Sequence, residues 1–228
     1  MGHFRLKYPL DSRLRGNDKR KLCVLCALCG YTKKFTLWRN MRVFIAIDIE
    51  KKVLEAITKL QQQLQRKAKV NEKFVKWVEP ENMHLTLKFL GEIKDNELVE
   101  TCKITEKVAQ KHSRFDLEFK KIGYFGGASA RVLWVGTEQG SENLIKLANQ
   151  LDEQLGEIGF TKETRAFTGH LTLCRIKDFK AGVELAKIVD GLGPFKAGES
   201  EVEAVAVYQS ELSKTGPTYT ALGRYKLS

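Results

Sequence analysis

This 228-residue chain has no apolar run near the roughly 20 residues that a bilayer-spanning helix needs, which excludes a helical membrane protein. It has only 5 cysteines, and three of them crowd into the first thirty residues, so no disulfide scaffold is on offer. The two that remain, Cys102 and Cys174, read as free thiols of a protein kept in a reducing cytoplasm. Low-complexity tracts and long linkers are missing too. What is present, 43% hydrophobic and 29% charged residues, suits a globular body with a sizeable core and argues against wholesale disorder.

A net charge of +11 nominally points to an anionic partner, but its distribution weakens the hint. Residues 1–40 hold 10 Lys/Arg against 2 acids, a net +8, which leaves +3 for the other 188 residues. This leading segment shows neither a helical nor a strand period. Lys19-Arg20-Lys21 followed by LCVLCALC resembles a signal peptide, yet it lies too far into the chain and lacks a small-residue cleavage site. Cys23, Cys26 and Cys29 form C-x-x-C-x-x-C without the second ligand pair that a zinc site needs. MRVFIAIDIE, beginning at Met41, reads as a natural start. Residues 1–40 are therefore expected to be an N-terminal extension, either disordered or contributed by an over-extended reading frame, and 41–228 the functional domain.

Within the body, VFIAIDI (43–49) is apolar on nearly both faces, as an inner strand is. A helix follows with Val53, Ile57, Leu60 and Leu64 on one stripe and the intervening Gln, Lys and Arg residues expected to face water. Then come a strand HLTLKFLG (84–91), a helix capped by Asp95 and running to about Lys111, and strands in RFDLEFKKIGYF and RVLWVG, with a turn at Gly126-Gly127. The plan repeats: a helix capped by Ser141, a strand HLTLCRI (170–176), a shorter helix around Val183–Val189, then VEAVAVYQSEL and TYTALGRYKL. This order predicts an α+β fold of two similar lobes, each with a sheet flanked by helices, packed as one compact unit.

Two of the four histidines begin the same tetrapeptide, His84-Leu-Thr-Leu and His170-Leu-Thr-Leu. Residues i and i+2 of a strand share a face, so His84 projects beside Thr86 and His170 beside Thr172, while the leucines point into a core. Across a cleft, two imidazoles whose unperturbed pKa is about 6.5 can divide acid and base duties. Two hydroxyls can donate to the non-bridging oxygens of a phosphate. That set suits in-line attack on a phosphodiester, with no metal or other cofactor required. The plainer reading is ordinary amphipathic patterning, and the matching place of both copies in the repeated plan favours function over it. His112, at a helix end, reads as a solvated partner of the helix C-terminus, and His3 falls in the leading segment. Phe44, Trp134 and Tyr219 are candidate base-stacking platforms, although aromatics in such strands more often belong to the core.

MRVFIAIDI, HLTLKFLGE, RVLWVG, HLTLCRI and SELSKTGPTYTAL together resemble, in that order, the RNA 2′,3′-cyclic phosphodiesterases of bacteria and archaea, also called 2′-5′ RNA ligases or LigT-like proteins, of the two-histidine phosphoesterase superfamily. The resemblance covers Met41 to about Leu227 and implies a bilobal α+β fold, two pseudo-symmetric lobes each with an antiparallel sheet and flanking helices, with the two motifs facing across a central cleft. It implies hydrolysis of RNA 2′,3′-cyclic phosphate ends, tRNA fragments among them, to 2′-phosphomonoesters, and in some members reversible 2′-5′ joining. It implies His84 as proton donor to the leaving 3′ oxygen, His170 as proton acceptor from water, and Thr86, Thr172 and Arg175 as phosphate-binding residues. A monomer with no membrane partner is expected. Gly169 stands where the family commonly has proline. Two rivals stay open: a superfamily enzyme acting on another cyclic-phosphate or oligonucleotide substrate, and a non-catalytic module that binds RNA ends.

Overall fold

Alternation of β-branched and aromatic residues builds one nine-stranded antiparallel sheet, seen in a computed structural model that describes residues 40–213 and 216–228. The expectations for the leading segment, including Cys23, Cys26 and Cys29, lie outside the described residues. The strands are β1 (Met41–Ile47), β2 (Val75–Trp77), β3 (Leu85–Ile93), β4 (Phe115–Phe125), β5 (Val132–Thr137), β6 (His170–Ile176), β7 (Lys196–Val202), β8 (Ala204–Leu212) and β9 (Pro217–Lys226). The helices are α1 (Lys51–Lys67), α2 (Asp95–Ala109), α3 (Ser141–Glu157) and α4 (Phe179–Asp190). The sheet order is β7-β4-β5-β6-β3-β1-β8-β9, with β2 added to β6.

Two halves are visible in that order. β3, β1, β8 and β9 form one lobe and β7, β4, β5 and β6 the other, and β3 meets β6 through the single pair Leu85–Leu171. The expected bilobal α+β architecture is what the chain adopts. The helices, however, are exchanged between the halves: α1, early in the sequence, packs on β7 and α4, whereas α3 packs on α2 and β3. Each sheet is thus backed by a helix from the other half of the chain, which joins the lobes more firmly than one ladder pair could.

Several expectations need local correction. Ser141 is the first residue of α3 and not its cap, and its hydroxyl donates to Thr137 Oγ1 at 2.8 Å. Asp95 likewise begins α2, where the Glu97 carboxylate accepts from the Lys94 N–H at 2.6 Å. His112 pairs through Nε2 with Gln150 Oε1 on α3 at 2.7 Å. Along α1, Val53, Ile57, Leu60 and Leu64 are buried as expected, but Gln61 is buried with them at 4% exposure. β2 and most of β7 have no counterpart in the sequence reading, because VKW is very short and KAGESEV lacks an apolar face.

Candidate active site

Leu85 opposite Leu171 sets the geometry of the site. Both leucines are fully buried on the helix side. One residue outward in either direction of this antiparallel pair, His84 stands beside Thr172 and Thr86 beside His170, all four on the opposite face and all partly exposed. The two motifs are therefore neighbours at the centre of the sheet, and each histidine sits next to the other lobe's threonine.

Arg175 reaches this face through an irregularity. Five residues after His170, simple alternation would turn it the other way. On the ladder with β5, Trp134 pairs with Thr172 but Leu133 pairs with Cys174, so Leu173 is an extra, bulged residue. The bulge sends Cys174 into the core and returns Arg175 to the face of Thr172. β3 carries the same device: Ala46 pairs with Thr86 and Ile45 with Lys88, leaving Leu87 extra. Lys88 consequently leaves the cleft face and is buried at 3% exposure, where its ammonium pairs with Asp152 and donates to the Thr161 carbonyl at 2.6 Å. Phe89, 61% exposed, occupies in the first lobe the place that Arg175 holds in the second. Neither Phe89 nor the exposed Phe125 was singled out from the sequence, and a five-residue count from each histidine would have found the first.

The surroundings of the two histidines differ. Phe44 stacks on His84 with centroids 4.6 Å apart, and Tyr219 meets it edge-on at 5.1 Å. Burial beneath these rings pushes the His84 imidazole down to about 4, and a hydrogen bond from the ring to the Asn82 carbonyl offsets this only in part. His170 is more open, with Phe125 edge-on at 5.1 Å, and its Nδ1 lies 2.8 Å from the Thr168 carbonyl. That carbonyl can only accept, so Nδ1 carries the proton and Nε2 is left free. Of the three candidate stacking platforms, Phe44 is 3% exposed and serves as the floor of His84. Trp134 lies flat over Gly123 and Gly136, where an added Cβ would come within 2.4 and 2.9 Å of the indole. Tyr219 lines a pocket of about 310 Å³ beside His84 together with Asp48, Glu81, Met83 and Arg224. Asp48 holds both Arg224 and the Tyr208 hydroxyl, which also accepts from Arg224 Nη2 at 2.9 Å. Burial raises the Tyr219 hydroxyl, and the charges of Arg175 and Arg42 pull it back, which places Arg175 within electrostatic reach of the opposite lobe.

One family model, that of the LigT-like phosphoesterases, matches the chain twice, over residues 47–134 and 135–219. The chain belongs to this family. Each match contains one His-Leu-Thr-Leu motif. The chain is 33% identical over 183 residues to the RNA 2′,3′-cyclic phosphodiesterase of Methanocaldococcus jannaschii, covering 80% of this chain and 98% of that protein. It is 30% identical over 189 residues to the enzyme of the same name from Aquifex aeolicus, covering 82% and 97%. The crystal structure of E. coli LigT in apo form superposes with a TM-score of 0.67 at 26% identity over 83% of this chain and 99% of that one. That protein has also been crystallised with 3′-AMP. As a member of the two-histidine phosphoesterases, this chain is a hydrolase.

Gly169 now has a physical account. A Cβ there would lie 2.5 Å from Leu144 Cδ2 and 2.6 Å from Thr137 Oγ1, so α3 packs directly on the backbone that precedes His170. The Gly169→Pro substitution is expected to destabilise this chain by roughly 1–3 kcal/mol through overpacking. Urea unfolding measures this, and an unchanged midpoint would refute the packing account.

Proposed function

We propose that residues 41–228 hydrolyse the 2′,3′-cyclic phosphate ends of RNA to 2′-phosphomonoesters, without a metal. The observation that carries this reading is the crosswise placement of the two His-Thr pairs on one face, with Arg175 brought to that face by the bulge. Thr86, Thr172 and Arg175 hold the phosphate oxygens. His170, with Nε2 free, takes a proton from water as the water oxygen bonds to phosphorus, and His84 gives a proton to O3′ as the P–O3′ bond breaks. His84 is neutral at rest, and the negative charge of the bound phosphate draws onto it the proton that it will donate. The pocket beside His84 seats the ribose that carries the leaving oxygen.

Ligation is the same displacement with an RNA 5′-hydroxyl in place of water, which yields a 2′-5′ linkage. Exposed Phe125, edge-on to His170, favours this second use by offering a stacking face on the attacking side. Ends of tRNA fragments are within this substrate class. We place the enzyme as a monomer in a reducing cytoplasm, in keeping with free Cys102 and Cys174. Among the described residues no helix is long and apolar enough to cross a membrane.

The test is incubation with a 2′,3′-cyclic-phosphate oligonucleotide, with and without EDTA, and assignment of the product. A 2′-phosphate formed at equal rates is expected. A 3′-phosphate would overturn the leaving-group assignment, EDTA sensitivity would overturn the metal-free mechanism, and saturable binding without product would favour a binding module.

A further inference from the structure

We infer that Gln61 is a positioning residue for the phosphate site, an inference that rests on reading Arg175 as a phosphate-binding side chain. Gln61 lies on α1 within the apolar stripe of Ile57, Leu60 and Leu64, where an aliphatic residue would pack without any hydrogen-bonding demand. Its buried side-chain amide instead donates to two backbone carbonyls, Leu173 at 3.0 Å and Val78 at 2.8 Å.

Both acceptors occupy sensitive places. Leu173 is the bulged residue between Thr172 and Arg175, so the orientation of its carbonyl belongs to the geometry that returns Arg175 to the cleft face. Val78 follows β2 and begins the connection that runs through Met83 to His84, and its own N–H donates to the same Leu173 carbonyl at 2.9 Å. One amide therefore ties the bulge of the second motif to the approach of the first. Without it the Val78 carbonyl loses this bond and the bulge keeps only the Val78 N–H. The phosphate contact most exposed to that loss is Arg175, two residues beyond the bulge.

The other lobe carries a related tie. Lys88, which follows the bulge in β3, holds Thr161 in the connection that leads to His170. A buried polar side chain thus secures the approach to each histidine. Gln61 is the one that touches a bulge directly.

The experiment is a double-mutant cycle between Gln61→Leu and Arg175→Gln, with Gln61→Met as a second volume-conserving variant should leucine fail to fold. The readouts are kcat/KM on a 2′,3′-cyclic-phosphate oligonucleotide and inhibition by inorganic phosphate, taken well below each variant's Tm. Gln61→Leu alone is expected to lower kcat/KM roughly tenfold and to weaken phosphate inhibition in parallel, and to add less than about twofold once Arg175 is glutamine. Equal losses in both backgrounds would show a merely structural role and overturn the inference, as would no loss at all. If Arg175→Gln alone leaves phosphate inhibition unchanged, the reading of Arg175 falls and the inference falls with it.

Discussion

Alanine at either His84 or His170 is expected to lower kcat/KM for a cyclic-phosphate oligonucleotide by about 10²–10⁴-fold, the usual contribution of a positioned general acid or base. The two losses should not multiply. An acid and a base that act on one displacement work as a unit, so the double variant should be little worse than the worse single one. The wild-type pH profile of kcat/KM should be bell-shaped, and each single variant should lose one limb. Losing the same limb in both variants would contradict the division of roles, and a flat wild-type profile between pH 5 and 8 would contradict acid–base catalysis altogether. Unfolding measured alongside separates chemistry from packing. His84 supports Phe44 and Tyr219, so its alanine variant should lose some stability, whereas the more open His170 should tolerate truncation.

The second large effect is on stability against acid. An unfolded histidine titrates near 6.5, and folding lowers His84 to about 4 by burying it under aromatic rings. Between those values the unfolded chain binds the additional proton, so stability falls as pH drops from 6.5 to 4 and this contribution levels off below 4. Each pKa unit corresponds to about 1.4 kcal/mol, so the full fall is on the order of 3–4 kcal/mol. Carboxylates also lose stability in acid, so the measurement is a difference: urea unfolding of wild type and His84→Gln at pH 7 and pH 4. The variant should be spared most of the fall that His84 causes. Parallel curves would mean that His84 is not desolvated in the folded chain. Inorganic phosphate beside the ring should raise the His84 pKa, which an NMR titration of its imidazole proton would follow.

The candidate site of this protein was legible because its residues lie in short, self-contained patterns. His84-Leu-Thr-Leu and His170-Leu-Thr-Leu each state locally which side chains share a face, and the leucines between them state which face is core. The stripes of α1 and α3 were readable for the same reason, since one helical period suffices to place Leu144, Leu147, Leu151 and Leu155 inside. Gln61 was misplaced because a polar residue beside an apolar stripe is ordinarily solvated, and only a distant pair of carbonyls makes burial favourable there. The aromatic character of Phe44 leaves platform and core both open, and its place as the floor of His84 depends on strands that are not adjacent to it in sequence.

By itself the sequence determined the candidate reacting groups, the strand faces and the repeated plan, which are written in short motifs and in periods of two and 3.6 residues. Tertiary structure alone decided how these are brought together. The pairing of Leu85 with Leu171, the exchange of α1 and α3 between lobes, and the two bulges that send Lys88 and Cys174 inward while returning Phe89 and Arg175 to the cleft all depend on ladder register. Register is a relation between segments tens of residues apart, settled by how their buried faces pack, and a single extra residue reverses every side chain beyond it.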